Sequence, residues 1–308
     1  MKNPVTWPDG KRFAFTIFDD PDSQTLTAAR CVYSLLEDLG FRTTKGVWVV
    51  EPPARNSKGD TCELSDFLEW AIQLQEKGFE IGYHNGAPGN LERAGVIRSL
   101  DLFRQHFGHD PVTMANHYNN DAMYWGAARV TGAARFILNA VTLGRKNRFA
   151  GHVPGSPFFW GDICRERIRY CRNFVFPEVN TLQFCPFMPY SDPDRSYVAN
   201  WYSGSEGANC KSFLRQLAER EQDKLEQQGG ACIMYTHFGH GFVDSSGRLD
   251  PEFRRLMTRL SQRNGWFVPV GTLLDFLRAQ QGEHVIAADE RRGLETRWLL
   301  RKLMRGTS

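Results

Sequence analysis

The chain has 308 residues, of which 41% are hydrophobic, and a formal net charge of +3. This length permits one large α/β domain, and so small a positive excess gives no reason to expect a nucleic-acid partner. No segment approaches the roughly 20 apolar residues of a membrane span, and the first residues lack the apolar core of a signal peptide, so we expect a cytoplasmic protein. Seven scattered cysteines without a CxxC pair predict neither a disulfide framework nor a cysteine zinc site.

The first predicted element is a buried strand over residues 13–18 that ends in two adjacent acids. Its aromatic, β-branched and small residues are typical of a core strand. Asp19 and Asp20 follow directly, and Pro21 cannot continue a central strand. Because α/β barrels carry their active sites at the C-terminal ends of the strands, both acids are candidate site residues. The alternative is an Asp-Pro turn that only ends the strand and caps the next helix.

A regular alternation of helices and strands follows. The pattern predicts a helix to about residue 39, a strand over 43–50, a helix over 63–77 and a strand over 79–84. Such alternation is the signature of a parallel sheet or barrel. His84 ends this third strand. A second predicted strand therefore ends in a side chain that can bind a metal. The alternative for a lone strand histidine is a structural hydrogen bond.

Two of these segments carry a resemblance. Residues 16–20 (TIFDD) and 80–84 (EIGYH) resemble the first two motifs of the polysaccharide (chitin) deacetylase family. The resemblance implies an incomplete or distorted (β/α) barrel of about seven parallel strands and a divalent metal, usually zinc. It makes Asp19 the general base, and Asp20 and His84 metal ligands. The family's second motif normally has another histidine four residues after the first, and this chain has Pro88 there.

The fourth predicted strand, over residues 111–120, has another polar tip. The family's third motif belongs here, and Tyr118 matches its tyrosine, whose backbone N–H would help to hold an oxyanion. Ala115 stands where the family has an arginine. His117 is a candidate metal ligand in place of the missing histidine, and a contact to the substrate is equally open. Asn116 is a candidate substrate-binding residue.

The middle of the chain, over residues 145–200, is its least regular part and is rich in aromatic residues, proline and glycine. We expect these aromatic side chains either to wall a substrate pocket or to pack against the barrel. Trp160 and Asp162 fall where the family's fourth motif has residues that orient the catalytic groups, so both are candidate substrate-binding residues. Before this region, the sequence predicts a helix over 121–135 and a strand over 136–141.

The last motif follows a charged helix predicted over residues 209–228. Residues 231–237 form a strand that ends in His237, and the resemblance makes this histidine the general acid. His240 follows in a glycine-flanked turn, as a candidate substrate contact or an exposed side chain. The predicted alternation is completed by a helix, a strand and a helix over residues 251–263, 266–270 and 272–281.

The sequence divides into a barrel over residues 1–287 and a basic amphipathic helix over 288–308. The charges of this helix alone give the net +3: Arg291, Arg292, Arg297, Arg301, Lys302 and Arg305 against Asp289, Glu290 and Glu295. We expect the helix to dock on the barrel or on a partner chain. Peripheral contact with a membrane surface is the alternative.

The predicted strand tips gather acids and imidazoles at one end of the barrel: Asp19, Asp20, His84, His117 and His237. Such a set suits hydrolysis at a metal site. The resemblance implies a metal-dependent hydrolase that removes an acyl group, such as acetyl, from an N-acylated sugar or related small amide. Since the first residues lack a signal peptide, we expect the substrate to be a cytoplasmic sugar precursor of a surface polysaccharide. Two alternatives are a metal-free amide hydrolase of the same fold, which Pro88 favours, and a non-catalytic carbohydrate-binding protein, which has no need of an acid and base pair.

Overall fold

The computed structural model describes residues 5–116, 120–122 and 127–305. In this part of the chain, seven parallel strands pair in chain order and close into a barrel, because β1 pairs with both β2 and β7. The barrel strands are β1 (Phe13–Asp19), β2 (Thr44–Val47), β3 (Glu80–Tyr83), β4 (Thr113–Met114), β5 (Tyr170–Phe176), β6 (Asn200–Glu206) and β7 (Ala231–Thr236). A short strand, β8 (Gly265–Trp266), pairs with the start of β1 outside the ring. The fold class predicted from the sequence is confirmed.

Helices connect the strands. They are α1 (Leu26–Asp38), α2 (Ser65–Glu76), α3 (Arg93–Phe107), α4 (Gly132–Thr142), α5 (Gly161–Arg167), α6 (Thr181–Phe184), α7 (Cys210–Gln216), α8 (Glu219–Gln227), α9 (Pro251–Ser261), α10 (Val270–Gln281) and α11 (Ala288–Arg305). Short 3-10 helices lie at Pro8–Gly10, Ala127–Arg129, Arg145–Arg148 and Pro193–Arg195. No helix of the described residues is long and apolar enough to cross a membrane.

Local sequence explains where the elements begin and end. All seven residues of β1 are buried, as expected for a strand that lies between the barrel interior and a layer of helices. The Thr25 side chain caps α1 by accepting a hydrogen bond from the Ala28 N–H at 3.3 Å. Gly108 ends α3 with a φ of 80°, a left-handed conformation that glycine adopts without strain.

The segment over residues 145–200 contains β5, and β6 begins at its end; neither strand was predicted. The apolar pattern of β5 is interrupted by Arg172 and Asn173, and that of β6 by serine and glycine residues. The pairing of β5 with β6 shifts register between Arg172 and Val175. In a regular strand, two neighbouring side chains point to opposite faces. Such an irregularity changes the direction of the side chains, and both Arg172 and Asn173 line the same cavity.

The strand predicted over residues 136–141 is wrong, because these residues belong to α4. Their aromatic and β-branched composition suggested a strand. The apolar positions nevertheless recur at the helical spacing of three and four residues: Ala133, Phe136, Ile137, Ala140 and Val141. The long helix predicted over residues 209–228 is instead two helices, α7 and α8, which separate at Leu217 and Ala218.

The C-terminal helix α11 packs against the barrel. Trp298 is fully buried and contacts Phe174 of β5, with the ring centroids 5.1 Å apart. Glu295 is buried as well, and its carboxylate accepts hydrogen bonds from Arg195 and from the Thr131 hydroxyl, both at 2.8 Å. These contacts hold α11 beside the C-terminal ends of the strands.

Candidate active site

A cavity of about 290 Å³ lies at the C-terminal ends of the barrel strands. Acids, imidazoles and a phenol line one side of it: Asp20, Asp22, His84, Tyr235 and His237. Four cations complete the charged lining: Arg129, Lys146, Arg172 and Lys302. The cavity therefore brings together four of the predicted site residues: Asp20, His84 and His237 from the tips of β1, β3 and β7, and Asn116 from just after β4.

Asp20 lies at the centre of the acidic side and is only 1% exposed. Its backbone N–H donates to the Thr236 carbonyl at 2.8 Å, which fixes the tip of β1 against β7. Its Oδ1 lies 3.2 Å from His84 Nδ1, but no well-aligned hydrogen bond from the described residues reaches this oxygen. Burial raises the pKa of Asp20 to about 8, although the Arg172 charge opposes the shift.

Arg172 approaches the other oxygen of the same carboxylate. Its guanidinium lies 3.7 Å from Asp20 Oδ2 and stacks on the Tyr235 ring, 3.9 Å from the ring centroid. The side chain is only 8% exposed, and a buried arginine needs a partner of opposite charge. Arg172 is a site residue that the sequence analysis missed. An arginine inside the otherwise apolar segment YCRNFVF was the available signal.

His237 presents one ring nitrogen to the cavity. Its Nδ1 lies 2.6 Å from the Ala208 carbonyl, which can only accept, so Nδ1 carries a proton. Its Nε2 lies 3.0 Å from the Tyr235 hydroxyl and 3.7 Å from both Asp20 Oδ2 and Asp22 Oδ2. Nε2 is therefore the atom at which this histidine gains or loses a proton.

Asp19 does not line the cavity. Asp19 is the last residue of β1 and Asp20 follows it, and their side chains have different surroundings. The Asp19 carboxylate lies 3.2 Å from Lys45 Nζ, and both side chains are completely buried. It also accepts hydrogen bonds from Gln24 Nε2 at 3.0 Å, the Tyr33 hydroxyl at 3.2 Å and the Phe238 N–H at 3.0 Å. Its predicted role as general base is not supported by this position.

Asp22 is the second acid that reaches the cavity, and the sequence analysis missed it. Burial raises its pKa to about 6, while Lys45 opposes the shift. The signal was a third acid in the segment FDDPD, which was interpreted as part of a turn. Tyr235 was missed too, although a position two residues before His237 lies on the same face of β7.

The predicted substrate-binding residues have different positions. Asn116 lines the cavity. His240 does not line it but lies against the His237 ring, with the centroids 4.7 Å apart. Trp160 is buried and donates from Nε1 to the Ala122 carbonyl at 2.8 Å. Asp162 forms a surface ion pair with Arg93, with oxygen–nitrogen distances of 2.6 and 2.7 Å. Neither Trp160 nor Asp162 reaches the cavity.

The predicted third metal ligand, His117, and Tyr118 lie outside the described residues, so their roles stay predictions. Pro88, where the family has a histidine, lies in a buried turn, and its carbonyl accepts from the N–H groups of Asn56 and Ser57 at 2.8 and 3.1 Å. Over residues 5–116, 120–122 and 127–305, no three His, Cys, Asp or Glu side chains are grouped to hold a metal ion.

Asp20 and His84 nevertheless fit two positions of a zinc site. Zinc binds nitrogen and oxygen donors at about 2.0–2.1 Å, which places two tetrahedral donors about 3.3 Å apart. The observed separation of Asp20 Oδ1 and His84 Nδ1 is 3.2 Å. A carboxylate oxygen that is buried without a well-aligned hydrogen-bond donor is the kind of atom a cation would satisfy.

The barrel and its cavity define an α/β-barrel protein whose acid, imidazole and cationic groups converge at the strand tips. No protein-family model and no curated protein matches the sequence. Among solved structures, one from Mycobacterium smegmatis, assigned as a polysaccharide deacetylase, aligns over 93% of this chain and 97% of its own, with 13% identity and a TM-score of 0.54. This chain therefore has the polysaccharide deacetylase fold, as its first two motifs predict.

Two further solved structures are similar. The peptidoglycan deacetylase PdaC from Bacillus subtilis covers 90% of this chain and 95% of its own, with 13% identity and a TM-score of 0.41. A Bordetella bronchiseptica protein, assigned as a polysaccharide deacetylase involved in O-antigen biosynthesis, aligns over 90% of this chain and 96% of its own, with 16% identity and a TM-score of 0.38.

The buried ion pair of Asp19 and Lys45 gives a prediction about stability. Lys45→Met leaves the Asp19 carboxylate buried without its cation, so we expect a loss of about 3–5 kcal/mol in the free energy of unfolding. The double variant Asp19→Asn/Lys45→Met should lose less than the sum of the two single variants. Urea denaturation measures all three values.

The matched control is Lys77→Met, which removes a lysine from a partly exposed ion pair with Glu37. This change should cost less than about 1 kcal/mol. Equal losses for Lys45→Met and Lys77→Met would contradict a structural role for the buried pair.

Proposed function

We propose that this protein is a metal-dependent hydrolase of carbon–nitrogen bonds that removes an acyl group, such as acetyl, from an N-acylated sugar or related small amide. One observation carries the proposal: Asp20 Oδ1 and His84 Nδ1 are 3.2 Å apart in a cavity that also exposes His237 Nε2. A pair of metal donors beside a proton-carrying nitrogen is what amide hydrolysis needs. The fold and the sequence resemblance support the same reaction class.

Asp20 and His84 would hold the metal, which we propose is zinc, with His117 as the predicted third ligand. When bound, the metal supplies Lewis acidity, which polarises a carbonyl and makes water more acidic. Arg172 holds Asp20 Oδ2 at 3.7 Å and so leaves Oδ1 for the metal.

His237 is the proposed proton donor to the leaving nitrogen. The Ala208 carbonyl holds the proton on Nδ1, so the proton that moves is the one on Nε2. Asp22 is the proposed general base, because it lines the cavity whereas Asp19 does not. Asp22 would take one proton from water as the new carbon–oxygen bond forms, and His237 would give one to nitrogen as the carbon–nitrogen bond breaks. The 3.7 Å between Asp22 Oδ2 and His237 Nε2 is short enough for a proton to return through one solvent molecule.

A second candidate is metal-free amide hydrolysis in the same cavity. The observation that favours it is Arg172, a fixed and buried cation within 3.7 Å of Asp20. Such a cation stabilises negative charge that develops on a carbonyl oxygen. The proline at position 88 supports this candidate, since it removes one of the family's usual ligands.

Acetate release from N-acetylated sugars tests the proposed reaction. We expect turnover by the wild type, loss of turnover after dialysis against a chelator and recovery with zinc. His237→Gln should lower kcat about 10²–10⁴-fold, because it removes the general acid. His284→Gln is the matched control, since His284 lies outside the cavity and pairs with Glu290 at 2.8 Å.

The outcomes separate the candidates. Turnover that persists after complete metal removal would support the metal-free reaction. A wild type that binds N-acetylated sugars and releases no acetate, with or without zinc, would contradict both hydrolase candidates. Carbohydrate binding without catalysis would then be the remaining function. Equal rates for His237→Gln and His284→Gln would exclude His237 as the proton donor.

We also propose that α4 and α11 contact an anionic membrane surface. The outer face of α4 is apolar and exposed, with Phe136 76% and Val141 60% exposed, and α11 exposes Leu303 and Met304 beside it. The surrounding segment over residues 122–161 has no acid, and three of its arginines are exposed: Arg135, Arg145 and Arg148. A basic rim around an apolar face suits anionic lipid, whereas a second copy would bring like charges together.

Vesicle sedimentation tests this contact. We expect binding to vesicles that contain phosphatidylglycerol and much weaker binding to pure phosphatidylcholine, because the basic rim needs anionic headgroups. Phe136→Ser/Leu303→Ser should reduce binding at least about fivefold, since it removes buried apolar area. The control Leu64→Ser changes an exposed leucine of the N-terminal cap of α2. Equal binding to both vesicle types, or self-association without lipid binding, would overturn the proposal.

A further inference from the structure

One wall of the cavity is built from cations that no sequence motif predicted. Arg129 comes from the 3-10 helix Ala127–Arg129, Lys146 from the 3-10 helix Arg145–Arg148, and Lys302 from α11. Arg172 of β5 links this wall to the acidic side through Asp20. Four separate parts of the chain therefore bring positive charge to one cavity.

Arg129 is the cation whose position most needs an explanation. It is only 8% exposed, and no carboxylate of the described residues pairs with it. Its Nε donates no hydrogen bond within the described part of the chain. The contact it does make is with the Trp298 ring of α11, 5.5 Å from the ring centroid. A buried guanidinium with an unused donor is costly unless an anion completes it.

The fold holds Arg129 in this position. Its backbone carbonyl accepts a hydrogen bond from Arg195 at 2.9 Å, and Arg195 is itself held by Glu295 of α11 at 2.8 Å. Trp298 and Glu295 thus tie α11 to the 3-10 helix that carries Arg129. Arg129 is therefore held by the same helix, α11, that carries Lys302.

The two lysines show that the wall is crowded with positive charge. Burial, together with the charges of Arg129, Lys302 and Arg148, lowers the pKa of Lys146 to about 7. Burial and Arg129 lower the pKa of Lys302 to about 8, while Glu206 opposes the shift. An anion bound between these side chains would relieve this repulsion.

We propose that Arg129, Lys146 and Lys302 bind an anionic group, a phosphate or a carboxylate, on the substrate. This inference rests on the proposed function for the amide that is cleaved and names the substrate class as a negatively charged N-acylated sugar. Arginine and lysine are the side chains that recognise such groups, and the planar guanidinium binds them through two parallel hydrogen bonds. The anion would lie against this wall, and the N-acyl group would face Asp20, His84 and His237.

The size of the cavity agrees with a small substrate. A volume of about 290 Å³ is close to the lower limit of about 300 Å³ for small-molecule pockets. It is large enough for one sugar unit with its charged group.

Titration calorimetry tests the anion site separately from hydrolysis. The His237→Gln protein serves as background, because it should bind substrate without turning it over. The probes are N-acetylglucosamine 1-phosphate, N-acetylmuramic acid, which carries a carboxylate, neutral N-acetylglucosamine and inorganic phosphate. We expect at least one anionic sugar to bind tenfold or more tightly than the neutral sugar, and the two anionic probes distinguish phosphate from carboxylate.

Variants then assign the site. Lys302→Gln and Lys146→Gln should each weaken binding of the anionic sugar about tenfold and leave the neutral sugar unchanged. Arg292→Gln is the matched control, because it removes the same charge from an exposed position of α11. Arg129→Gln should have the largest effect, and the two lysine variants keep the test valid if this buried change unfolds the protein.

The outcomes distinguish this inference from the proposed function. Inorganic phosphate binding that depends on Lys302, without acetate release by the wild type from any sugar, would support the anion site and contradict the hydrolase. Acetate release from neutral and anionic sugars with equal kcat/KM would support the hydrolase and overturn the anion site. Equal affinities in Lys302→Gln and Arg292→Gln would also overturn it.

Discussion

The candidate site depends on one buried carboxylate, Asp20. Removing a carboxylate from water costs several kcal/mol unless cations or hydrogen bonds replace the solvent. The structure supplies a guanidinium to Oδ2 through Arg172 and brings the His84 ring to Oδ1. His237 lies 3.7 Å from Oδ2 as well. Arg172 of β5 and the tips of β3 and β7 thus surround this carboxylate, and the same arrangement leaves Oδ1 for the proposed metal.

The neighbouring acid shows how the last residue of β1 and the residue after it divide between fold and function. Asp20 faces the barrel interior, and Asp19 faces the outer layer, where Lys45 of β2 and the Tyr33 hydroxyl of α1 contact it. The Phe238 N–H, just after β7, donates to the same carboxylate. Asp19 therefore joins β1 to both of its neighbours and to the first helix, and it holds the end of β1 that positions Asp20.

Much of the barrel and part of the site could be predicted from the sequence, because strand tips leave a local pattern. A run of apolar residues that ends in an acid or a histidine predicted the positions of Asp20, His84 and His237. The resemblance assigned Asp19 to the same site as general base, and its carboxylate does not line the cavity. Strand β5 was missed because Arg172 interrupts its apolar run, although that interruption is itself the functional feature.

The cationic wall could not be predicted in this way. Arg129, Lys146 and Lys302 lie in irregular segments and in the last helix, and only the tertiary fold brings them together. No spacing in the sequence connects them. The basic amphipathic pattern of the last helix predicted docking or membrane contact, and it did not predict that Lys302 lines the cavity. Trp160 and Asp162 illustrate the opposite case, because their sequence position suggested the site and the fold places them away from it.

The central claim is that Asp20 and His84 are ligands of a resident metal. Elemental analysis of the purified wild type, Asp20→Ala and His84→Ala tests it most directly, with Asp162→Ala as a control that removes a surface acid. The account predicts near-stoichiometric zinc in the wild type and in Asp162→Ala, and its loss in both ligand variants. A wild type that holds no metal after incubation with zinc would contradict the account, as would full zinc content in Asp20→Ala or His84→Ala.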